Sequence, residues 1–209
     1  KNKKSLALKM VCATLFVSTG LLAITISGNT SEFSRLVLAG LFFGWLGDFF
    51  LHVNEKKLSF LIGLLSFLGG HVFYIAAYFS ATREYFAGIP LLVPAEIAAF
   101  IVIFGAGVAF AVVRKMRMGP ATVPIALYAA TITLMLVKAS SLGFRLLADG
   151  SVEYAGLICT MLVLGALQFL ISDVLLAVLL FDGQKKNYKM KIVNIVTYFS
   201  AQLLLASTI

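Results

Sequence analysis

The sequence predicts an all-α fold, a polytopic transmembrane helical bundle that forms a single domain over residues 1–209. Hydrophobic residues make up 61% of the chain and charged residues only 12%, about half the charged share of soluble domains. Several apolar runs reach about 20 residues, the length that spans a bilayer. The runs lack the short alternating segments of membrane β-barrels, so helices are the expected spanning elements.

Seven apolar spans follow one another along the chain. They cover residues 6–26, 33–52, 58–80, 91–113, 123–142, 154–181 and 192–207. The connections between them are short, which predicts that consecutive helices pack as antiparallel neighbours. The spans leave no room for a soluble domain.

The distribution of cationic residues predicts the orientation of the spans. Most Lys and Arg residues flank the start of span one and the ends of spans two, four and six. These residues are Lys1, Lys3 and Lys4 before span one, Lys56 and Lys57 after span two, Arg114, Lys115 and Arg117 after span four, and Lys185, Lys186, Lys189 and Lys191 after span six. The alternate connections carry only Arg35, Arg83 and Arg145. Because cytoplasmic loops are enriched in Lys and Arg, the N-terminus is expected in the cytoplasm and the C-terminus on the opposite side. The net charge of +8 lies in these flanking segments and does not indicate a nucleic-acid partner.

An aspartate in span two is the first candidate for chemistry. Gly40, Gly44, Asp48 and His52 are spaced four residues apart, so they share one face of a helix. The glycines allow another helix to approach closely. A carboxyl group in hydrocarbon costs several kcal/mol by most estimates, so an aspartate there indicates a functional site.

A second aspartate, Asp173 in span six, is expected at a similar depth to Asp48. Two carboxyl groups in one low-dielectric site rarely both ionise, so the pair is predicted to share a proton and to supply an acid and a base. The structural alternative is that each aspartate bonds backbone or a neighbouring Ser or Tyr.

Supporting or substrate-binding residues are expected on two further spans, and Ser172, beside Asp173, is a further candidate for this role. In span three, His71 and Tyr74 share a face and can orient a carboxylate or bind a headgroup; the alternative is a bond between helices. In span seven, Tyr198 and Gln202 belong to a polar stripe that begins at Asn194 and should face the bundle interior. There they can bind a headgroup or water; the alternative is that they form hydrogen bonds between helices.

Other polar residues have mainly structural interpretations. Ser172 precedes Asp173 without the G-x-S-x-G motif of serine hydrolases and is expected to bond a backbone carbonyl or the surroundings of Asp173. Glu96 and Lys138 are expected to pair near the outer surface. Lys9 is expected to extend to the cytoplasmic interface.

No metal, cofactor or disulfide is predicted. A catalytic zinc usually has three or four ligands, and the chain contains only two histidines, without the HxxxH or HExxH spacing. A site of Asp48, His71 and Asp173 is the remaining metal alternative. Cys12 and Cys159 both fall in apolar runs and are expected to be buried thiols.

Four short motifs together resemble the YhhN family of membrane proteins, which includes the lysoplasmalogenases. They are Gly47-Asp48-x-x-Leu51, Gly70-His71-x-x-Tyr74, Gly165-Ala166-x-x-Phe169-x-x-Ser172-Asp173 and Thr197-Tyr198-x-x-Ala201-Gln202. The resemblance extends from about residue 9 to the end of the chain. Family members usually have eight spans, with one more before the helix that corresponds to residues 6–26.

The resemblance implies a lysophospholipid substrate within a lipid bilayer. The implied activity is hydrolysis of the vinyl ether bond of lysoplasmalogens, which releases a fatty aldehyde, and the two intramembrane aspartates of the family match Asp48 and Asp173. Three other readings stay open: a proton-coupled transporter of a small or lipid-like solute, a metal-dependent lipid hydrolase, and a structural or receptor-like bundle.

Overall fold

Seven α-helices and a single 3₁₀ turn, with no strand, make up the regular structure of the computed structural model, which describes residues 3–53 and 57–209. The helices are α1 (Lys3–Ser27), α2 (Glu32–Val53), α3 (Lys57–Tyr85), α4 (Pro94–Val113), α5 (Thr122–Asp149), α6 (Ala155–Phe181) and α7 (Tyr188–Ala206). The 3₁₀ turn, Gly119–Ala121, leads into α5. Of the lysines used to predict orientation, Lys1 and Lys56 lie outside the described residues.

The all-α fold is confirmed, and the chain is a multi-pass membrane protein. In the described part of the chain, α1 to α6 are long and apolar enough to cross a bilayer. The seventh predicted span corresponds to α7, which is not among those six; it carries Lys189 and Lys191 near its start and a polar stripe further along. That α7 also crosses the membrane stays a prediction.

Local sequence explains where several helices begin and end. The fifth span was expected to end at residue 142, but α5 continues to Asp149 and stops where Gly150 adopts a left-handed conformation with φ of 69°. The amide of Gly150 donates to the carbonyl of Leu146 at 3.2 Å, as in a glycine-terminated helix. The fourth helix begins at Pro94 rather than residue 91, because proline is favoured in the first helical turn.

Glycines on α2 and α3 bring these helices into close contact. A Cβ atom at Gly40 would lie 2.5 Å from the ring of Tyr74, and one at Gly70 would lie 3.0 Å from the carbonyl oxygen of Gly40. A Cβ at Gly47 would lie 2.7 Å from the ring of Phe67. The small residues predicted to form a packing face of α2 therefore do so, and they place Asp48 in the interior.

The remaining helices complete the bundle around this pair. Helix α6 packs along α7 and α5, α1 covers α2 and α7, and α3 also contacts α5. Among the described helices, α4 packs against α5 alone. The polar groups that carry the candidate site lie on α1, α2, α3, α5, α6 and α7.

Candidate active site

Asp48 lies in the interior of the bundle between α1 and α7. Its side chain is 2% exposed, and its Oδ2 accepts a hydrogen bond of 2.8 Å from the hydroxyl of Tyr198. The ammonium of Lys9 lies 3.9 Å from Oδ1 of Asp48. The prediction that Lys9 extends to the interface missed this ion pair, which forms because α1 packs on α2 with Lys9 facing the carboxylate.

The hydrogen bonds to Asp48 continue along α7 to α3. The side-chain amide of Gln202 donates from Nε2 to the hydroxyl of Tyr198 at 3.3 Å, and the hydroxyl of Tyr74 donates to Oε1 of Gln202 at 2.6 Å. All these groups are buried. Each of these hydrogen bonds therefore donates in the direction of the Asp48 carboxylate. The predicted supporting residues Tyr74, Tyr198 and Gln202 thus lie together with Asp48.

Gly44 makes room for this hydrogen-bond chain. A Cβ atom there would lie 2.3 Å from Nε2 of Gln202. Because only a glycine lets the amide approach so closely, the stripe of small residues on α2 serves the polar contacts as well as helix packing. At the end of that stripe, Nδ1 of His52 lies 3.0 Å from the backbone carbonyl of Asp48.

Asp173 has a different hydroxyl donor. Its Oδ2 accepts a hydrogen bond of 2.8 Å from the hydroxyl of Tyr128 on α5. Tyr128 is not among the site residues predicted from the sequence. It could have been inferred as a donor because it is a tyrosine within the apolar run of span five, whose helix is antiparallel to span six.

A row of ring contacts connects the two tyrosines that bind the aspartates. The imidazole of His71 contacts the ring of Tyr128 at 5.3 Å and the ring of Phe169 at 4.8 Å between centroids. The ring of Phe169 in turn contacts that of Tyr198 at 5.5 Å. His71 therefore joins the surroundings of Asp173 to those of Asp48.

The two aspartates are not in direct contact among the described residues. Their helices, α2 and α6, are not packing neighbours, and each carboxyl group has its own tyrosine donor. A proton shared between Asp48 and Asp173 would have to pass along the intervening side chains. Direct sharing therefore stays a prediction that no described contact supports.

Ser172 has a structural contact between α6 and α7. Its hydroxyl donates to the backbone carbonyl of Asn194 at 3.2 Å, and the amide of Asn194 donates to the carbonyl and hydroxyl oxygens of Ser172 at 2.7 and 2.9 Å. The expected bond to a backbone carbonyl is confirmed. Ser172 thus helps to fix the position of Asp173 relative to α7.

The predicted pair of Glu96 and Lys138 is also confirmed. The ammonium of Lys138 lies 3.0 Å from Oε1 of Glu96 and donates to the carbonyl of Leu91 at 2.9 Å. Both side chains are buried, with 1% and 6% exposure for Lys138 and Glu96. The pair attaches the start of α4 to α5, away from the aspartates.

No group of three or more His, Cys, Asp or Glu side chains that could hold a metal occurs within residues 3–53 and 57–209. The cysteines in this part of the chain, Cys12 and Cys159, are free thiols. In the described structure the polar chemistry of the site therefore rests on two carboxyl groups, an imidazole, an ammonium, an amide and tyrosine hydroxyls.

Comparison with protein families identifies the group to which this arrangement belongs. The model of the YhhN family matches residues 5–209, nearly the whole chain. The chain belongs to the YhhN family. The match includes every residue of the site described above and confirms the resemblance of the four motifs. Comparisons of this YhhN protein with curated proteins and with solved structures gave no match.

Proposed function

We propose that this YhhN protein is a membrane-embedded hydrolase of the vinyl ether bond of lysoplasmalogens, the alkenyl-glycerophosphocholines and -ethanolamines. One observation carries the proposal: two aspartates within apolar helices each accept a tyrosine hydroxyl, and side chains in contact connect the two. Acidic residues within membrane helices are costly and are retained for chemistry or transport. The lysoplasmalogenases in the family make this ether bond the first substrate to test.

The reaction needs an acid, a negative charge and a water molecule. A vinyl ether hydrolyses by protonation at carbon, which forms an oxocarbenium ion; water then adds to it, and the hemiacetal collapses to an aldehyde and an alcohol. Glycosidases meet a similar demand with two carboxyl groups. General acid–base catalysis contributes roughly 10²–10⁴-fold in rate, and electrostatic stabilisation contributes more.

The contacts of the aspartates divide these roles between them. The ammonium of Lys9, 3.9 Å from Asp48, stabilises a carboxylate there, so Asp48 supplies the negative charge opposite the cation. The hydrogen bond from Tyr128 uses Oδ2 of Asp173, so Oδ1 is the oxygen that carries the transferred proton. Tyr198, Gln202 and Tyr74 keep Asp48 in place.

The substrate enters with its single chain among the helices. Lysines concentrate in the segments flanking the same ends of the spans, which supports an N-terminus in the cytoplasm and a C-terminus on the opposite side. In that orientation, the phosphate group lies among the cationic residues of the cytoplasmic end, and the alkenyl chain extends towards the middle of the membrane.

The direct test uses purified protein and an alkenyl lysophosphoethanolamine without added metal. Release of a long-chain aldehyde, detected by mass spectrometry, is the expected result. The matched lipid with a saturated ether should not react, because it has no carbon–carbon double bond to protonate. Aldehyde release that requires added metal, or is lost on chelation, would favour the metal-dependent alternative.

Variants of the two aspartates test their assignment. Asp48→Asn and Asp173→Asn should each reduce aldehyde release by 10²-fold or more, the scale of general acid–base catalysis. Asp149→Asn is the matched control, since Asp149 is exposed at the end of α5. Near wild-type rates in a folded variant of either intramembrane aspartate would contradict the proposed chemistry.

A proton-coupled transporter is the second candidate, favoured by one observation. Asp48 is an acidic residue within a membrane helix at the end of a continuous row of hydrogen bonds from Tyr74 through Gln202 and Tyr198, and intramembrane acids also serve proton transport. Proton flux into liposomes that contain the protein, dependent on Asp48 and without aldehyde release, would favour transport over hydrolysis.

A further inference from the structure

One nitrogen of His71 has a fixed role and the other has none in the described contacts. The side chain is 1% exposed, and Nδ1 lies 2.7 Å from the backbone carbonyl of Phe67. A carbonyl oxygen can only accept, so Nδ1 carries the hydrogen, and in the neutral ring Nε2 presents a lone pair. Nε2 is buried and has no hydrogen-bond partner among the described residues.

His71 lies next to the tyrosine that binds Asp173, the proposed acid. Its ring lies nearly perpendicular to that of Tyr128, whose hydroxyl donates to Asp173, and it also contacts the ring of Phe169. A buried acceptor without a donor destabilises the folded protein, because the group has lost its hydrogen bonds to water. Such a group in a folded protein calls for an explanation, and a bound water or ligand is a common one.

We propose that Nε2 of His71 binds the water molecule that attacks the oxocarbenium ion and accepts its proton. The inference rests on the proposed vinyl ether hydrolysis and adds a base to it. Asp48 is less suited to this task, because its carboxylate already accepts from Tyr198 and faces Lys9. The bond from Nδ1 to Phe67 holds the imidazole with Nε2 available, as the oriented histidines of hydrolases are held.

In this reaction protons pass between the substrate, Asp173 and His71. Asp173 gives its proton to the outer carbon of the double bond, which leaves a carboxylate and an oxocarbenium ion. Water forms a bond to the cationic carbon and loses a proton to Nε2 of His71, which gives the hemiacetal. The imidazolium then protonates the glycerol oxygen as the carbon–oxygen bond breaks, and the hemiacetal hydroxyl returns a proton to Asp173. An aldehyde and an alcohol leave, and both side chains regain their starting states.

The test is the exchange of deuterium into unreacted substrate. In wild-type protein water captures the ion at once, so substrate recovered from a partial reaction in D₂O should contain no deuterium at the outer alkenyl carbon. Without the base, capture slows. The outer carbon of the waiting ion then carries its original hydrogen and the deuterium delivered by Asp173. After rotation about the carbon–carbon bond the ion returns the hydrogen to Asp173, so the re-formed vinyl ether keeps the deuterium. In His71→Asn, which keeps an N–H near Phe67 but removes Nε2, we expect aldehyde release to fall 10²–10⁴-fold and the recovered vinyl ether to contain deuterium.

Two further variants separate this role from packing. Phe169→Leu disturbs the contact to His71 without removing a base, so it should slow the reaction without deuterium in the recovered substrate. His71→Gln keeps more of the side-chain volume and gives the same deuterium test if His71→Asn does not fold. Thermal unfolding in detergent establishes which variants are folded.

The outcomes distinguish the two hypotheses. If wild-type protein releases no aldehyde, the proposed function and this inference both fail. If wild-type protein is active and a folded His71 variant is as fast, or is slow without deuterium in the recovered substrate, the inference is wrong and the proposed function stands. Deuterium in the recovered substrate of a folded His71 variant, and not of wild type or Phe169→Leu, supports it.

Discussion

Tyr198 connects the polar side chains around Asp48. Its hydroxyl donates to Asp48 at 2.8 Å and accepts from Gln202 at 3.3 Å. Because hydrogen bonds to charged groups contribute about 1.5–3 kcal/mol, Tyr198→Phe should reduce aldehyde release by roughly 10- to 100-fold. Tyr154→Phe is the control, since Tyr154 is 70% exposed. Equal rates for the two variants would mean that the hydroxyl does not support the reaction.

Lys9 is the cation that pairs with Asp48 in the candidate site. Opposite charges about 4 Å apart interact by about 4 kcal/mol at an effective dielectric constant of 20, and the partial exposure of Lys9 weakens this. We expect Lys9→Met to lower the rate of aldehyde release tenfold or more and Lys9→Arg to retain much of it. Arg83→Met, which removes an exposed cation in the last turn of α3 on the predicted outer side, should leave the rate unchanged. A Lys9→Met rate equal to wild type would show that the charge is not needed.

Among the elements, α2 depends on glycine for its contact with α3. A methyl group at Gly40 would lie 2.5 Å from the buried ring of Tyr74, and overpacking of this kind costs about 1–3 kcal/mol. Gly40→Ala should therefore lower the temperature of unfolding in detergent. In Gly105→Ala on α4 the methyl group meets open space, so helix propensity favours a small increase. Shifts in the same direction for both variants would contradict this packing argument.

Helix α4 is attached to α5 through the buried pair of Glu96 and Lys138. Removing one partner of a buried pair costs about 3–5 kcal/mol, because the other charge remains buried alone. We expect Glu96→Gln and Lys138→Met each to reduce the free energy of unfolding by this amount, and the double variant to lose less than the sum. A double-mutant cycle of unfolding in detergent measures the coupling.

The more exposed pair of Arg114 and Asp182 provides the control for that cycle. Arg114 is 46% exposed at the other end of α4, and exposed pairs contribute at most about 1 kcal/mol. Arg114→Met should therefore change the free energy of unfolding much less than Lys138→Met. Additive effects of the Glu96 and Lys138 variants would show that the buried contact contributes no coupling energy.

For the whole molecule, the predicted orientation places the N-terminus in the cytoplasm and the C-terminus on the opposite side of the membrane. In a background of Cys12→Ser and Cys159→Ser, Lys186→Cys should react with an impermeant thiol reagent only after the membrane is opened. Ser151→Cys and Thr208→Cys should react in intact cells, because the connection before α6 and the end of α7 are expected on the outer side. The reverse pattern would overturn the orientation, and protection of Thr208→Cys alone would show that α7 does not cross.

Much of this structure can be predicted from residue patterns within individual helices. Apolar runs of membrane length predict the helices, because a chain in lipid must satisfy its backbone polar groups internally. Spacing of three or four residues predicts which side chains share a face, so the stripe through Asp48 and the inward face of Tyr198 and Gln202 could be inferred. The cost of a carboxyl group in lipid singled out Asp48 and Asp173 without any knowledge of their neighbours.

Contacts between distant helices depend on packing that no local pattern encodes. The donor of Asp173 is Tyr128, 45 residues away in the chain, and the cation beside Asp48 comes from α1 rather than from a loop. The packing order of the helices gives each aspartate its own tyrosine and places His71 between their surroundings. Helical periodicity predicts which face of a helix is polar. The residues that contact this face depend on how all seven helices pack. For this reason, only the tertiary structure shows which residues make up the site.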